Sequence, residues 1–297
     1  MSKVSIFIPA HTSEPYIRET VGEVCTKATG EIEVLLIIDG PKPKYRLPRR
    51  KNVKVLHNKK TIGLRQCTNQ ASEVATGEYF AKIDAHCMLG MGWDEILKAD
   101  CADNWIVVPE RYMLDVDNWE PYGDGISAMS YMYPRRNAYR PRLTGRPDKL
   151  RQERQEGDLV EDMTFQGSFW LMKRKHFVDR LYPLDENLYG DFSEEPQSIG
   201  LPTQLGKWHG KIMRNKKTWY AHWAKPGNVW RSLYNINELH SVHARVFDYW
   251  WYNRWPDKAL DFQVLVDRFW PIRRWPENWR WEMEQFNRYS MDELICQ

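Results

Sequence analysis

Several things are scarce in this chain of 297 residues. It has five cysteines, at positions 25, 67, 87, 101 and 296, none in a CxxC pair and one left over from any pairing. That pattern argues against a disulfide framework and suits reduced thiols in a cytosolic chain. Charge of one sign is scarce too. Lys and Arg number 43 against 40 Asp and Glu, and the balance of +3 excludes a polyanionic tail and a histone-like polycation. No run of 18 apolar residues occurs, so no membrane span is available. The apolar stretch Val4–Ile8 in MSKVSIFIPAH is too short for a signal peptide, and the expected location is the cytoplasm. No internal repeat is apparent. In excess is tryptophan: 15 residues, ten of them from Trp219 onward, beside 15 tyrosines. Hydrophobic residues at 42% and charged residues at 28% fit an ordinary globular protein, one large domain or two modest ones.

The first hundred residues alternate strand and helix patterns. Val4–Pro9, Glu33–Ile38, Val53–His57 and Tyr79–Ile83 are short apolar runs, and Asn104–Pro109 reads as a fifth strand. Pro15–Lys27 carries Tyr16, Thr20 and Val24 at helical spacing with Ser13 as its N-cap, and Thr61–Ala75 reads as a second helix. This alternation predicts a buried, mostly parallel sheet with helices on both faces. Residues 134–158 hold eight Lys/Arg against four Asp/Glu and read as a loop, either plain solvated surface or a basic acceptor-binding flap. Regular structure resumes at Met163–Met172. From Lys225 the chain turns Trp-rich and helical, broken at Pro256, Pro271 and Pro276.

In such sheets ligands bind beyond the carboxyl ends of the strands. The polar residues there are His11, Thr12 and Glu14 after the first run, Asp39 after the second, and Asp84-Ala85-His86 after the fourth. Asp39 alone could be a turn carboxylate capping its own Gly. Asp84 and His86, one residue apart at a strand end, share a side and can offer one oxygen and one nitrogen to a divalent cation.

The segments IPAHTSEPYIRET, EVLLIIDGPKPK and TIGLRQCTNQASEVATGEYFAKIDAHCM resemble the nucleotide-binding half of a family 2 glycosyltransferase. DAHC followed by Gly92-Trp93 is also similar to the polypeptide N-acetylgalactosaminyltransferases, whose metal motif is Asp-x-His. The resemblance covers about residues 3–223 and implies the GT-A fold, a Rossmann-like α/β domain, with a Trp-rich helical C-terminal extension outside it. The domains it suggests are 1–224, with a nucleotide-binding half at 1–110 and an acceptor half at 163–224, and then 225–297. It further implies a nucleotide-sugar donor, a UDP-sugar first, with Mn²⁺ or Mg²⁺. By position, Pro9, Ala10 and His11 would line the base pocket, with Glu14 near ribose or base. Asp39 would accept the uracil N3–H, and Arg65 would brace the nucleotide or a motif carboxylate. Asp84 and His86 would hold the metal, with His222 completing its shell. Gly167, in Gln166-Gly167-Ser168-Phe169-Trp170, belongs to the family's Gly-rich acceptor-side strand and counts with the donor site. Gly190-Asp191-Phe192-Ser193-Glu194-Glu195 resembles the acidic catalytic stretch. Glu195 is the first choice for the general base, then Glu194 and Asp191. Pro196, Gly200 and Pro202 interrupt the helix expected after it, so that choice stays open. Family 2 likeness implies inversion and Asp-x-His likeness implies retention.

His240 and His243 share helical i, i+3 spacing, but no carboxylate or Cys is arranged with them as a metal site. In the tail, Phe262, Leu265 and Phe269 at i, i+3 and i+7 predict helices docked on the catalytic domain, with Trp in the seam. Arg273, Arg274 and Arg280 among Trp275, Trp279 and Trp281 also offer what a nucleic acid needs, cations and flat side chains. Two acceptors follow: a bacterial surface glycan, or a 5-hydroxymethylpyrimidine in DNA as phage transferases use. A rival reading is a non-catalytic nucleic-acid-binding protein on an inactive α/β scaffold. The set Asp39, Asp84, His86, Glu195 and His222 argues against it.

Overall fold

The computed structural model describes residues 2–43, 46–123, 128–135, 141–148, 151, 154–225 and 236–286. Its main sheet runs in the order β10 (Leu159–Asp162), β12 (Lys211–His222), β6 (Trp105–Asp115), β11 (Phe169–Lys173), β4 (Tyr79–Ile83), β1 (Val4–His11), β2 (Ile32–Asp39) and β3 (Val53–Asn58). The short strands β5 (Cys87–Leu89) and β7 (Glu120–Tyr122) pair with β12 and β6. Pairing directions show that β1, β2, β3, β4, β6 and β12 all point one way, while β10 and β11 oppose them. The expected mostly parallel α/β sheet is therefore present. Residues 34–39 of β2 are buried without a break, because a central parallel strand is covered on both faces.

Helices α1 (Ile17–Lys27), α2 (Gly63–Val74), α3 (Trp93–Ala99) and α4 (Arg174–Arg180) flank this sheet. Two expectations need correction. Ser13 does not cap α1; the cap position is Tyr16, and the Ser13 hydroxyl bonds His11 Nδ1 at 2.8 Å. No helix joins β2 to β3 among the described residues, and β3 pairs in parallel as a largely exposed edge strand.

Residues 134–158 are not a bare loop either. β8 (Tyr131–Arg135) and β9 (Arg142–Arg146) pair antiparallel as a separate two-stranded sheet. Residues 136–140, 149–150 and 152–153 of that stretch lie outside the described residues. The interrupted helix after the acidic motif is a π-helical turn at 196–200 that follows α5 (Glu186–Tyr189) and leads into α6 (Leu201–Leu205).

The tail forms α7 (Ile236–Trp251), α8 (Phe262–Phe269) and α9 (Trp279–Phe286). Phe262, Leu265 and Phe269 are buried as their spacing predicts, in one cluster with Trp250, Trp251 and Trp275. That cluster also takes in Tyr131, Met132 and Leu143 of the hairpin and Leu201 and Leu205 of α6, so the tail packs where the hairpin does. No helix among the described residues is long and apolar enough to cross a membrane.

Candidate active site

Because β1, β2, β4 and β12 point one way, His11, Asp39, Asp84 and His222 reach the same edge of the sheet. The opposed β11 begins there, and Asp84 N–H donates to Ser168 O at 2.9 Å. β5 pairs His222 with Cys87, which carries His222 to His86 across more than a hundred residues. A cavity of about 670 Å³ opens at this edge. Of the expected site residues, Pro9, Ala10, His11, Glu14, Asp39, Asp84, His86, Gly167, Asp191, Glu194, Glu195 and His222 line it, and Arg65 does not.

Asp84, His86 and His222 each present one ligand atom, all within 4.8 Å of one another. His222 Nε2 is 3.1 Å from Asp84 Oδ2 and 3.1 Å from His86 Nε2. These spacings are close to the edge of an octahedron built on bonds of about 2.1 Å, roughly 3 Å. One carboxylate and two imidazoles suit a divalent transition ion, so the donor set fits a metal. Arg111 Nη2 lies 3.2 Å from His222 Nδ1. A guanidinium only donates, so Nδ1 accepts here and Nε2 carries the hydrogen that faces Asp84. Taking up a cation at Nε2 requires the other tautomer, with the hydrogen moved to Nδ1 on the side of Arg111. Burial holds His222 neutral, with its pKa lowered to about 3 against the opposing hydrogen bond to Asp84. For Asp84 burial alone would raise the pKa, but the Lys82 charge and the His222 hydrogen bond keep it far below the usual carboxylate range.

Glu14 sits behind His86, its Oε1 3.3 Å from Nδ1, and its other oxygen meets Lys225. A carboxylate behind a ligating imidazole fixes its tautomer and orientation. Asp39 accepts the backbone N–H groups of Ile62 and Gly63 at 2.9 and 3.0 Å, one on each oxygen. It thus holds the start of α2 rather than its own Gly40; Oδ1 also accepts from Asn58 Nδ2 at 3.4 Å, so Oδ2 is the oxygen with fewer partners. Trp223, edge-on to His86 and to Tyr16, adds an aromatic wall.

On the opposite side, Arg65 is wholly buried and donates to Tyr189 O at 3.4 Å and to Ser193 O, so it braces the acidic loop. Ser193 and Glu194 both adopt left-handed backbone, φ 66° and 57°, a strain of about 1–3 kcal/mol per residue that gathers at functional sites. Their turn splits two adjacent carboxylates. Glu194 Oε1 faces His243 Nε2 at 3.0 Å. Glu195 instead accepts Lys82 Nζ at 2.9 Å and Trp170 Nε1 at 3.3 Å, and a Cβ at Gly167 would run into its carboxylate. The Lys82 ammonium spends its three donors on Glu195, Asp84 Oδ1 at 2.7 Å and Gly167 O at 2.6 Å. Sequence reasoning missed Lys82 and the pairing of His243. The signal for Lys82 was a lone cation in an otherwise apolar central strand; for His243 there was none within its own helix. His240 and His243 are not part of the metal cluster.

Residues 5–181 match the profile described as glycosyl transferase family 2. The chain belongs to that family. Among solved structures it is similar to GalNAc-T7 with UDP, GalNAc and Mn²⁺, at 18% identity and a TM-score of 0.65 over 85% of this chain and 49% of that one. It is also similar to S. aureus TarS 1-349 in complex with UDP-GlcNAc, at 14% identity and a TM-score of 0.55 over 89% of this chain and 69% of that one. These likenesses show the GT-A fold. The chain spans about half the length of GalNAc-T7. No curated protein sequence matches it.

Proposed function

We propose that this family 2 glycosyltransferase moves a sugar from a UDP-sugar to a hydroxyl acceptor with the help of a divalent cation, and that the acceptor is a 5-hydroxymethylpyrimidine in DNA. The observation that carries the reaction is the convergence of Asp84, His86 and His222 with the Glu194–His243 pair on one cavity. The UDP and UDP-GlcNAc in the GalNAc-T7 and TarS structures favour a uridine nucleotide. Pro9, Ala10 and His11 would border the base, and Asp39 would take the N3–H on a remaining lone pair. Asp84, His86 and His222 would hold Mn²⁺ in preference to Mg²⁺, since Mg²⁺ favours all-oxygen shells. A cation bound there supplies charge to the departing diphosphate.

The base is best assigned to Glu194. Glu195 is tied down by an ammonium on one oxygen and an indole on the other, so both its oxygens are already engaged. Asp191 is exposed to solvent. Glu194 is buried, aimed by its strained backbone and oriented by His243. It would take the proton of the acceptor hydroxyl as that oxygen attacks the anomeric carbon while the bond to the diphosphate breaks. A single displacement of this kind inverts the anomeric centre. Lys82 keeps the Asp84 and Glu195 charges apart and fixed.

The DNA acceptor is supported by the basic hairpin at the cavity mouth, since Arg142 and Arg146 both line it. The test is incubation with Mn²⁺, a UDP-hexose and a duplex containing 5-hydroxymethylcytosine or 5-hydroxymethyluracil, with mass spectrometry of the nucleosides. One hexose per modified base is expected. Transfer to a surface glycan but not to the duplex would return the acceptor to polysaccharide synthesis. No metal-dependent turnover of any UDP-sugar would overturn the reading.

A further inference from the structure

Two basic stretches more than a hundred residues apart in the chain meet in the fold. In the hairpin, β8 and β9 pair from Tyr131 opposite Arg146 to Arg135 opposite Arg142. The tail docks along it: Trp275 Nε1 donates to Met132 O at 2.8 Å, and Arg274 Nη1 donates to Tyr133 Oη at 3.1 Å with its guanidinium 5.3 Å above that ring. Arg273 is the neighbour of Arg274 in the chain. Like charges directly opposite in a strand pair are destabilising, and Arg135 and Arg142 accept that arrangement. Other arginines of this region are neutralised: Arg280 pairs with Asp267, and Arg268 with Glu161. By contrast, none of Arg135, Arg142, Arg146, Arg273 and Arg274 forms an ion pair with a carboxylate among the described residues. Burial, and then Arg135 and Arg146, push the Arg142 pKa down. Burial would raise the Tyr133 pKa, yet the Arg274 hydrogen bond and the Arg146 charge lower it. The field here is positive, and at Arg142 it is opposed only in part, by the Glu194 carboxylate at the cavity.

We propose that Arg135, Arg142, Arg146, Arg273 and Arg274 form one phosphate-binding strip that seats the sugar–phosphate backbone of the DNA acceptor at the mouth of the cavity. The inference rests on the acceptor reading above. Guanidinium forks match phosphate oxygens in pairs. Arg142 and Arg146 reach the cavity, whereas Arg135, Arg273 and Arg274 lie outside its lining, beyond a donor held within it. The strip therefore continues from the reacting centre onto the surface, as a polymer needs and a single nucleotide does not. Trp270, partly exposed, lies against Trp279, which abuts Trp275 at the hairpin, so a flat face for an unstacked base stands beside the cations.

The test is fluorescence anisotropy of a hydroxymethylated duplex against salt concentration, with Mn²⁺-dependent UDP-sugar binding measured separately by calorimetry. Five phosphate contacts predict a log–log slope of about −4 to −5 for the native chain. The triple variant R135A/R273A/R274A should lower its magnitude by about 2.7, at roughly 0.9 per contact. R135K/R273K/R274K keeps the charges and should restore the slope, which separates lost contacts from a folding defect. Arg280→Ala, outside the strip, should leave it unchanged. An unchanged slope in the triple alanine variant, or binding to a phosphodiester-linked glycan but not to the duplex, would overturn the strip. Glycosylation of the duplex with that unchanged slope would sink the strip alone. Salt-sensitive binding with no glycosylation would support the strip and sink the acceptor reading.

Discussion

The wall of the cavity built from the ends of β1, β2 and β4 and the wall built from residues 189–197 with α7 both carry carboxylates, but they hold them by different means. Asp39 ends the buried strand β2 and Asp84 sits one step beyond β4, where regular backbone delivers them and backbone N–H groups or Lys82 steady them. Glu194 and Glu195 are neighbours in sequence and face different partners because left-handed backbone turns the chain between them. The first wall binds through parallel-sheet geometry. The second relies on strain and on partners brought from far along the chain, Lys82, Arg65 and His243. Adjacent carboxylates of one chemistry thus acquire different tasks from their surroundings.

The strongest test of this contrast is on the first wall. Asp84→Ala should lower transfer on the order of 10³-fold, because a cation at a developing diphosphate contributes several kcal/mol, while the circular dichroism spectrum stays native. On the second wall, Glu194→Gln should lower kcat on the order of 10²-fold with the donor still bound, and Glu195→Gln should lose less activity. Equal loss in both variants would erase the assigned division between them.

A histidine outside both walls provides the next comparison. His176 is buried with its Nε2 3.0 Å from the Thr203 hydroxyl, and burial followed by the Arg180 charge lowers its pKa to about 4. The unfolded chain takes a proton near 6.5 and the folded one only near 4, so stability falls as pH drops through that window. By pH 5 the loss is about 2 kcal/mol. Urea titrations of His176→Gln should lack this part of the acid slope. The smallest effect is expected at His243→Gln, about tenfold in kcat with the donor KM unchanged, since a positioning residue acts through Glu194.

The sequence was informative where function follows from local geometry. Asp84 and His86 could be placed because a strand end puts them on one side, and β2 was readable as a continuous apolar run. His222 was expected at the metal through family likeness; its physical reason, the pairing of β5 with β12, is a long-range fact no local pattern contains. Arg65 was expected at the nucleotide or at a motif carboxylate, and it braces the loop that carries the carboxylates. Glu14 was expected near ribose or base and lies against His86 Nδ1. The hairpin within 134–158 is hidden from local pattern because its strands, rich in Arg, Pro and Gly, alternate poorly. It gains its apolar support from tail residues such as Trp275.

On the proposed reading, Asp84, His86 and His222 hold a divalent cation against a nucleoside diphosphate. Anomalous diffraction from crystals grown with Mn²⁺ and UDP tests it most directly. One manganese peak is expected, bonded to Asp84 Oδ2, His86 Nε2 and His222 Nε2 and to diphosphate oxygens, with the uracil beside Asp39. A peak elsewhere, or UDP bound in the cavity with no manganese at these three residues, would contradict it.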